Sequence, residues 1–253
     1  MSNESTPTSE QSVTTTAAIL QTFDAGFKRL PRMFEGLHKT FDGEFPISMP
    51  LFKTGIGRRF LQTLSRDTAL KNPHSVTLDP LIGIKQQSKS DCVGAGFMSA
   101  FSQITGVNIT PELYTGFLQT ALKHKLAEQE SEGIRVSAFA LNVFSTPEFK
   151  HQFSNSDVAV AFRRGLSLDE LSEIATATKN KKSPTYKLFV LLPFQSWANE
   201  LGGHLVSLQE ISPTKATVYD PNLGEKRIIP NTEFNQRWQY DNKSAIFIFD
   251  KVA

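Results

Sequence analysis

The chain is nearly devoid of cysteine: Cys92 is the single one in 253 residues. One thiol cannot build an internal disulfide framework or a multi-cysteine zinc site. Net charge is scarce as well, with 27 Lys and Arg against 25 Asp and Glu, a formal +2. A dedicated nucleic-acid binder carries a strong basic excess or stripe, so no nucleic-acid partner is expected. Long apolar runs are missing. Stretches such as Leu188–Pro193 fall far short of the ~18 residues that a membrane-spanning helix requires, so no transmembrane segment is expected. Residues 1–16 hold nine Ser or Thr and neither Lys nor Arg, which excludes a Sec-type signal with a basic start. Tryptophan and tyrosine are few, 2 and 4, whereas phenylalanine is abundant at 20. With 39% hydrophobic residues the chain can bury a real core. This composition fits a folded, soluble protein of a reducing compartment.

Three regions follow from composition. Residues 1–16 cannot bury enough apolar surface to fold and are expected to form a disordered Ser/Thr-rich leader. Residues 17–75 form a basic, Phe-rich helical arm, with nine Lys or Arg against five acids and seven phenylalanines. Phe23, Phe27, Leu30 and Phe34 recur at helical spacing, interrupted by Pro31. Gly55-Ile-Gly57 precedes a short helix candidate at Arg58–Leu61. Packing of the Phe residues onto the main body is the first reading of this arm. Contact with an anionic membrane surface is the second.

The main domain spans 76–253. Thr110-Pro111-Glu112 is an N-cap followed by Pro at the first helical position, and the helix is expected to run toward Glu130 before Gly133. Thr146-Pro147-Glu148 repeats that opening. Ser167-Leu168-Asp169-Glu170 is a capping box whose helix ends by Asn180. Strand candidates fill the second half: Tyr186–Leu192, His204–Ile211, Thr217–Tyr219, Arg227–Ile229 and Ala245–Phe249, with a turn at Pro213-Thr214. Helices followed by antiparallel strands predict an α+β domain.

The candidate chemistry centres on Cys92. Polar residues precede it, and a helix-like mixture of small and apolar residues follows, from Val93 to Ile104. A cysteine at a helix start meets unpaired N–H groups and the positive end of the macrodipole, which favour the nucleophilic thiolate. A buried structural thiol is the alternative. Among His38, His74, His124, His151 and His204, the last stands apart. It follows Gly202-Gly203 and opens a strand, which suits a base that must approach a thiol on another element. Sixteen residues later comes Asp220, followed by Pro221-Asn222-Leu223-Gly224. A hairpin around Pro213-Thr214 returns Asp220 to the same end as His204, where a carboxylate can orient the imidazole. Asp-Pro is also an ordinary turn starter. Gln86, six residues before Cys92, is the candidate oxyanion donor, with Gln87 the second choice.

Gln-x5-Cys at a helix start, a distant Gly-His heading a strand, and an Asp after the next strand resemble the papain-like cysteine peptidase fold. Gly203-His204-Leu-Val-Ser followed by Asp220-Pro221-Asn222-Leu223-Gly224-Glu225 resembles the YopT/AvrPphB type of bacterial effector cysteine proteases. That resemblance covers about residues 84–250 in order and spacing, and its strong motifs are short. It implies a helical N-terminal half carrying the Cys and an antiparallel sheet carrying the His and Asp. It implies Cys92 as nucleophile, His204 as base, Asp220 as orienting carboxylate and Gln86 in the oxyanion hole. It implies no cofactor and no metal, a host protein as substrate, and delivery by a bacterial injection system into the host cytoplasm, for which a polar leader is suited. Two positions depart from the pattern: Asp91 stands where a Gly before the nucleophile would be comfortable, and Val93 replaces a bulky aromatic after it. Three functions stay open at this level: a cysteine protease, a protein glutamine deamidase on the same fold, and a non-catalytic binding module.

Overall fold

The computed structural model describes residues 15–33, 76–78, 81, 83–153, 157–180, 186–197 and 203–251. Most of the Ser/Thr-rich leader, the Gly55–Leu61 segment, His38 and His74 lie outside the described residues.

Local chemistry sets the helices. Helix α1 (Thr16–Met33) continues through Pro31. Phe23, Phe27 and Leu30 on one of its faces are fully buried. Helix α2 (Cys92–Thr105) carries the cysteine as its first residue. Helix α3 (Pro111–Lys123) starts where Thr110 Oγ1 accepts the Leu113 amide at 3.2 Å, with Pro111 opening the first turn. Thr146 caps α4 (Pro147–Gln152) in the same way, accepting the Phe149 amide. The capping box ahead of α5 (Leu168–Asn180) is reciprocal: Ser167 Oγ accepts from the Glu170 amide at 3.1 Å, and the Glu170 carboxylate accepts from the Ser167 amide at 2.8 Å. Helix α6 (Asn231–Trp238) follows the strands around the site.

The strands are β1 (Val76–Thr77), β2 (Ala127–Glu130), β3 (Gly133–Val136), β4 (Asp157–Arg163), β5 (Tyr186–Gln195), β6 (Gly203–Ile211), β7 (Lys215–Asp220), β8 (Glu225–Pro230) and β9 (Ala245–Lys251). Among the described residues they form one antiparallel sheet in the order β4-β9-β5-β6-β7-β8, with β1 pairing β6, and a separate β2–β3 hairpin. The architecture is α+β: helices α1–α4 dominate the N-terminal half, and the antiparallel sheet belongs to the C-terminal half.

Two expectations are corrected. The helix opened by Thr110 ends at Lys123 instead of running toward Glu130. Beyond Leu126 the sequence Ala-Glu-Gln-Glu offers no apolar stripe to bury. Lys125 takes a left-handed φ of 57°, and Ala127–Glu130 pairs with Gly133–Val136. Strand β4 was not among the candidates. It pairs along its whole length with β9, from Asp157 opposite Lys251 to Arg163 opposite Ala245. Its Val158, Val160 and Phe162 alternate, but Ala159 and Ala161 between them blur the period.

The main sheet is covered on both faces, so it reads as nearly continuous apolar runs. On β5, Phe189 and Leu191 face a core shared with α1, α2 and α3. Leu188, Val190, Leu192 and Phe194 face a second core with Leu171 and Ile174 of α5 and Phe234 and Trp238 of α6. The first core is built largely from phenylalanine. Phe97 stacks on Phe117 at 4.3 Å and on Phe144 at 4.7 Å between ring centroids, and Phe23 meets Phe97 edge-on at 5.5 Å. Thus α1 is part of the same packed body as α2, and two of its aromatic side chains are spent in that core.

Candidate active site

Three elements bring the sequence candidates together. Cys92 begins α2, His204 is the second residue of β6, and Asp220 ends β7; all three are buried. Helix α2 lies close to the sheet because Gly96, one turn after Cys92, has no side chain. A Cβ there would sit 3.2 Å from Leu205 Cδ2 and 3.6 Å from Leu191 Cδ1. Leu205 is the residue after His204, so this close approach seats the cysteine end of the helix beside the histidine. The β6–β7 hairpin then returns Asp220. It turns at Pro213-Thr214, with the Ser212 amide bonded to the Lys215 carbonyl at 2.9 Å.

His204 Nε2 donates to Asp220 Oδ1 at 2.7 Å. The Cys92 side chain lies near enough to the same ring to act on its ionisation. With Nε2 committed to the carboxylate, Nδ1 is the nitrogen left for the thiol. Asp220 is itself held in place. Its Oδ1 accepts the Asn222 amide at 2.9 Å, and its carbonyl accepts the Gly224 amide at 2.8 Å. Gly224 takes a φ of 77°, which closes this tight turn without strain.

Electrostatics follow from these contacts. Burial pulls the His204 pKa down, but the hydrogen bond to Asp220, the Cys92 side chain and the charges of both outweigh it and raise the value to about 9. The imidazolium is therefore the favoured form at neutral pH. Burial pushes the Asp220 carboxyl up, but the hydrogen bond and charge of His204 and the amides of the turn hold it below the usual range.

Sequence reasoning missed the residues that cover this pair. Trp197 meets the His204 ring edge-on at 6.4 Å. Two guanidiniums lie over its indole, Arg227 at 4.3 Å and Arg237 at 4.7 Å from the ring centroid. Glu233 accepts from Trp197 Nε1 at 3.0 Å and from Arg237 Nε at 2.8 Å. Arg227 also reaches Asp220 Oδ2 at 3.4 Å. The signal available beforehand was the scarcity of tryptophan: Trp197 is one of two.

Gln86 is buried beside the Asp220 turn. Its amide N–H donates to the Pro221 carbonyl at 2.9 Å. Its Nε2 donates to the Ser88 carbonyl at 2.7 Å and, at 3.4 Å, to Asn222 Oδ1. Gln87, the second choice, is exposed. Of the other histidines, His151 is exposed on α4. His124 is half-buried, and its ring bonds Asp24 Oδ1 of α1 at 2.9 Å. Among the described residues, no group of three or more His, Cys, Asp or Glu could hold a metal ion, and no helix is long and apolar enough to cross a membrane.

No family model matches the chain, and no curated protein matches it. Solved structures do match. One, described as a "putative C39-like peptidase" from Bacillus anthracis, aligns with a TM-score of 0.40 and 15% identity, over 69% of this chain and 97% of that one. A likeness this distant leaves the assignment of chemistry to the site itself.

Proposed function

We propose that this protein is a papain-like thiol hydrolase that cleaves peptide bonds in a protein substrate. The observation that carries the reading is the buried set of three side chains, with the Cys92 thiol acting on a His204 ring that Asp220 holds at 2.7 Å. In this reaction the Cys92 thiolate, paired with the His204 imidazolium, attacks the scissile carbonyl carbon. The carbonyl oxygen takes the negative charge. The Cys92 amide, which has no intrahelical partner at the first helical position, donates to it. Gln86 Nε2 supplies the second donor by exchanging its long bond to Asn222 for the oxyanion. His204 then gives its proton to the leaving amine, and the C–N bond breaks. The same ring takes a proton from water, which attacks the thioester and frees Cys92. Asp220 keeps the ring oriented and stabilises its charge.

The setting of this activity is also a proposal. The likeness of Gly203-His204 and Asp220-Pro221-Asn222 to YopT/AvrPphB-type effectors supports a host protein as substrate, reached by bacterial injection into the host cytoplasm.

The test is terminal labelling of a host-cell proteome exposed to the wild-type protein or to Cys92→Ala. New N-termini made by the wild type alone are the expected result. Conversion of a specific Gln to Glu without new termini would replace protease by deamidase. The absence of either change would leave a binding module.

A further inference from the structure

Asp91 was the misfit beside the nucleophile, and its side chain has an unusual position. It precedes α2 as the N-cap residue but makes no side-chain cap bond to the helix. Its carboxylate, with no exposed surface, turns back toward the chain before the helix. Oδ1 accepts the Ser88 amide at 3.0 Å, and Oδ2 accepts the Gln87 amide at 3.1 Å. Oδ2 also accepts the Tyr114 hydroxyl at 3.0 Å, and that hydroxyl lies 3.5 Å from the Asp91 carbonyl. Tyr114 is a fully buried residue of α3. Burial first, then the charge and hydrogen bond of Asp91 and the charge of Cys92, push its phenol well above the usual range, so it remains a donor.

The Ser88 backbone connects this cluster to Gln86. Asp91 holds the Ser88 amide, and the Ser88 carbonyl holds Gln86 Nε2 at 2.7 Å. A buried carboxylate would be costly without such partners, and here three donors point at it. None of these atoms is needed to attack a carbonyl or move a proton. Their common effect is to fix the turn that carries the oxyanion donor.

We propose that Asp91, braced by Tyr114, is a positioning residue that sets the Gln86 side-chain amide for the oxyanion, through the backbone of Ser88. The proposal rests on the thiol-hydrolase reading. It predicts a separation between two reactions of the same thiol. Iodoacetamide alkylation forms an S–C bond as iodide leaves, and no oxyanion appears. Acylation by p-nitrophenyl acetate forms the thioester through a tetrahedral oxyanion, and p-nitrophenolate leaves.

The experiment measures both rates on the full chain for wild type, Tyr114→Phe, Asp91→Asn and Gln86→Ala. Tyr114→Phe removes one hydroxyl and keeps the ring packing. We expect it to slow acylation by about tenfold, and Asp91→Asn by more, within the loss of roughly a hundredfold or greater that follows removal of an oxyanion donor. The alkylation rate of Tyr114→Phe stays close to wild type, which also reports an intact site, whereas Asp91→Asn removes a charge beside the thiol and is read by its ratio of acylation to alkylation. In the Gln86→Ala background, Tyr114→Phe has no further effect on acylation, because the group it positions is gone. Equal slowing of both reactions, unchanged acylation, or full additivity with Gln86→Ala would overturn the positioning role. If wild type is acylated no faster than Cys92→Ala, the thiol-hydrolase reading itself falls, and this inference falls with it.

Discussion

The phenylalanine core under α1–α3 and the polar shell around Cys92 hold together by opposite means. In the core, Phe23, Phe97, Phe117 and Phe144 are buried against one another and against aliphatic side chains. Burial is nondirectional, so many side chains of similar volume could replace these and keep the fold. Around the site, side chains are held by specific partners: His204 Nε2 on Asp220, Asp220 Oδ1 on the Asn222 amide, Asp91 on two amides and a phenol. Hydrogen bonds fix direction as well as distance, so losing a single donor leaves a partner misaligned or unpaired. Mutations in the core should therefore affect stability more than chemistry, and mutations in the shell the reverse.

The largest effect should fall on Cys92, the proposed nucleophile. Cys92→Ala is expected to remove activity by at least about a thousandfold, the scale seen when a nucleophile is deleted. Its thermal melt should stay near wild type, and a large drop in Tm would blur the division between the regions. Asp220→Ala is next, with an expected loss of roughly 10²- to 10⁴-fold in kcat/KM. The mirror-image test is Phe97→Ala. It is expected to cost about 3–5 kcal/mol in denaturant unfolding, with activity per folded molecule unchanged. A selective loss of kcat there would show that the core shapes the chemistry directly.

The smallest effect is the pH dependence of the ion pair. The folded His204 pKa, about 9, lies above the ordinary 6.5. Its contribution to stability is thus complete below about 6.5 and is lost as pH rises through about 9. The Asp220 pKa is lowered, so its contribution is present above the ordinary 3.8 and is lost as pH falls through the folded value. The Tm gap between wild type and Asp220→Ala should be widest between about pH 4 and 6.5 and narrower by pH 10, where the bonds to the turn remain. A gap that persists unchanged at pH 10 would mean that Asp220 acts through the turn, not through charge.

Much of the site was legible because its members sit where elements begin or end. Cys92 opens a helix, His204 follows glycines at the head of a strand, and Asp220 precedes a Pro-Asn turn. Caps were equally legible: Thr110, Thr146 and Ser167 use chemistry confined to a few consecutive residues. The misses share a different property. Strands β2 and β3 are short and mostly polar, so no periodicity marks them, and only their mutual pairing defines them. Trp197 gains meaning from Arg227, Arg237 and His204, which lie on other elements. Asp91 looked like a departure from a pattern because its partner Tyr114 is a helix away.

Residue order alone determined the single thiol at a helix start, the Gly-His and Asp-Pro-Asn pieces, the capping signals and the α+β order. These depend on interactions between neighbours in the chain. Tertiary structure decided which histidine ring lies by Cys92, which ring nitrogen Asp220 holds, and why Asp91 is buried. Those outcomes depend on the close approach of α2 to β6 at Gly96 and on hydrogen bonds between residues 16 to 136 positions apart. Such contacts exist only after the two cores have packed, because burial supplies the free energy that brings those distant partners within hydrogen-bond reach.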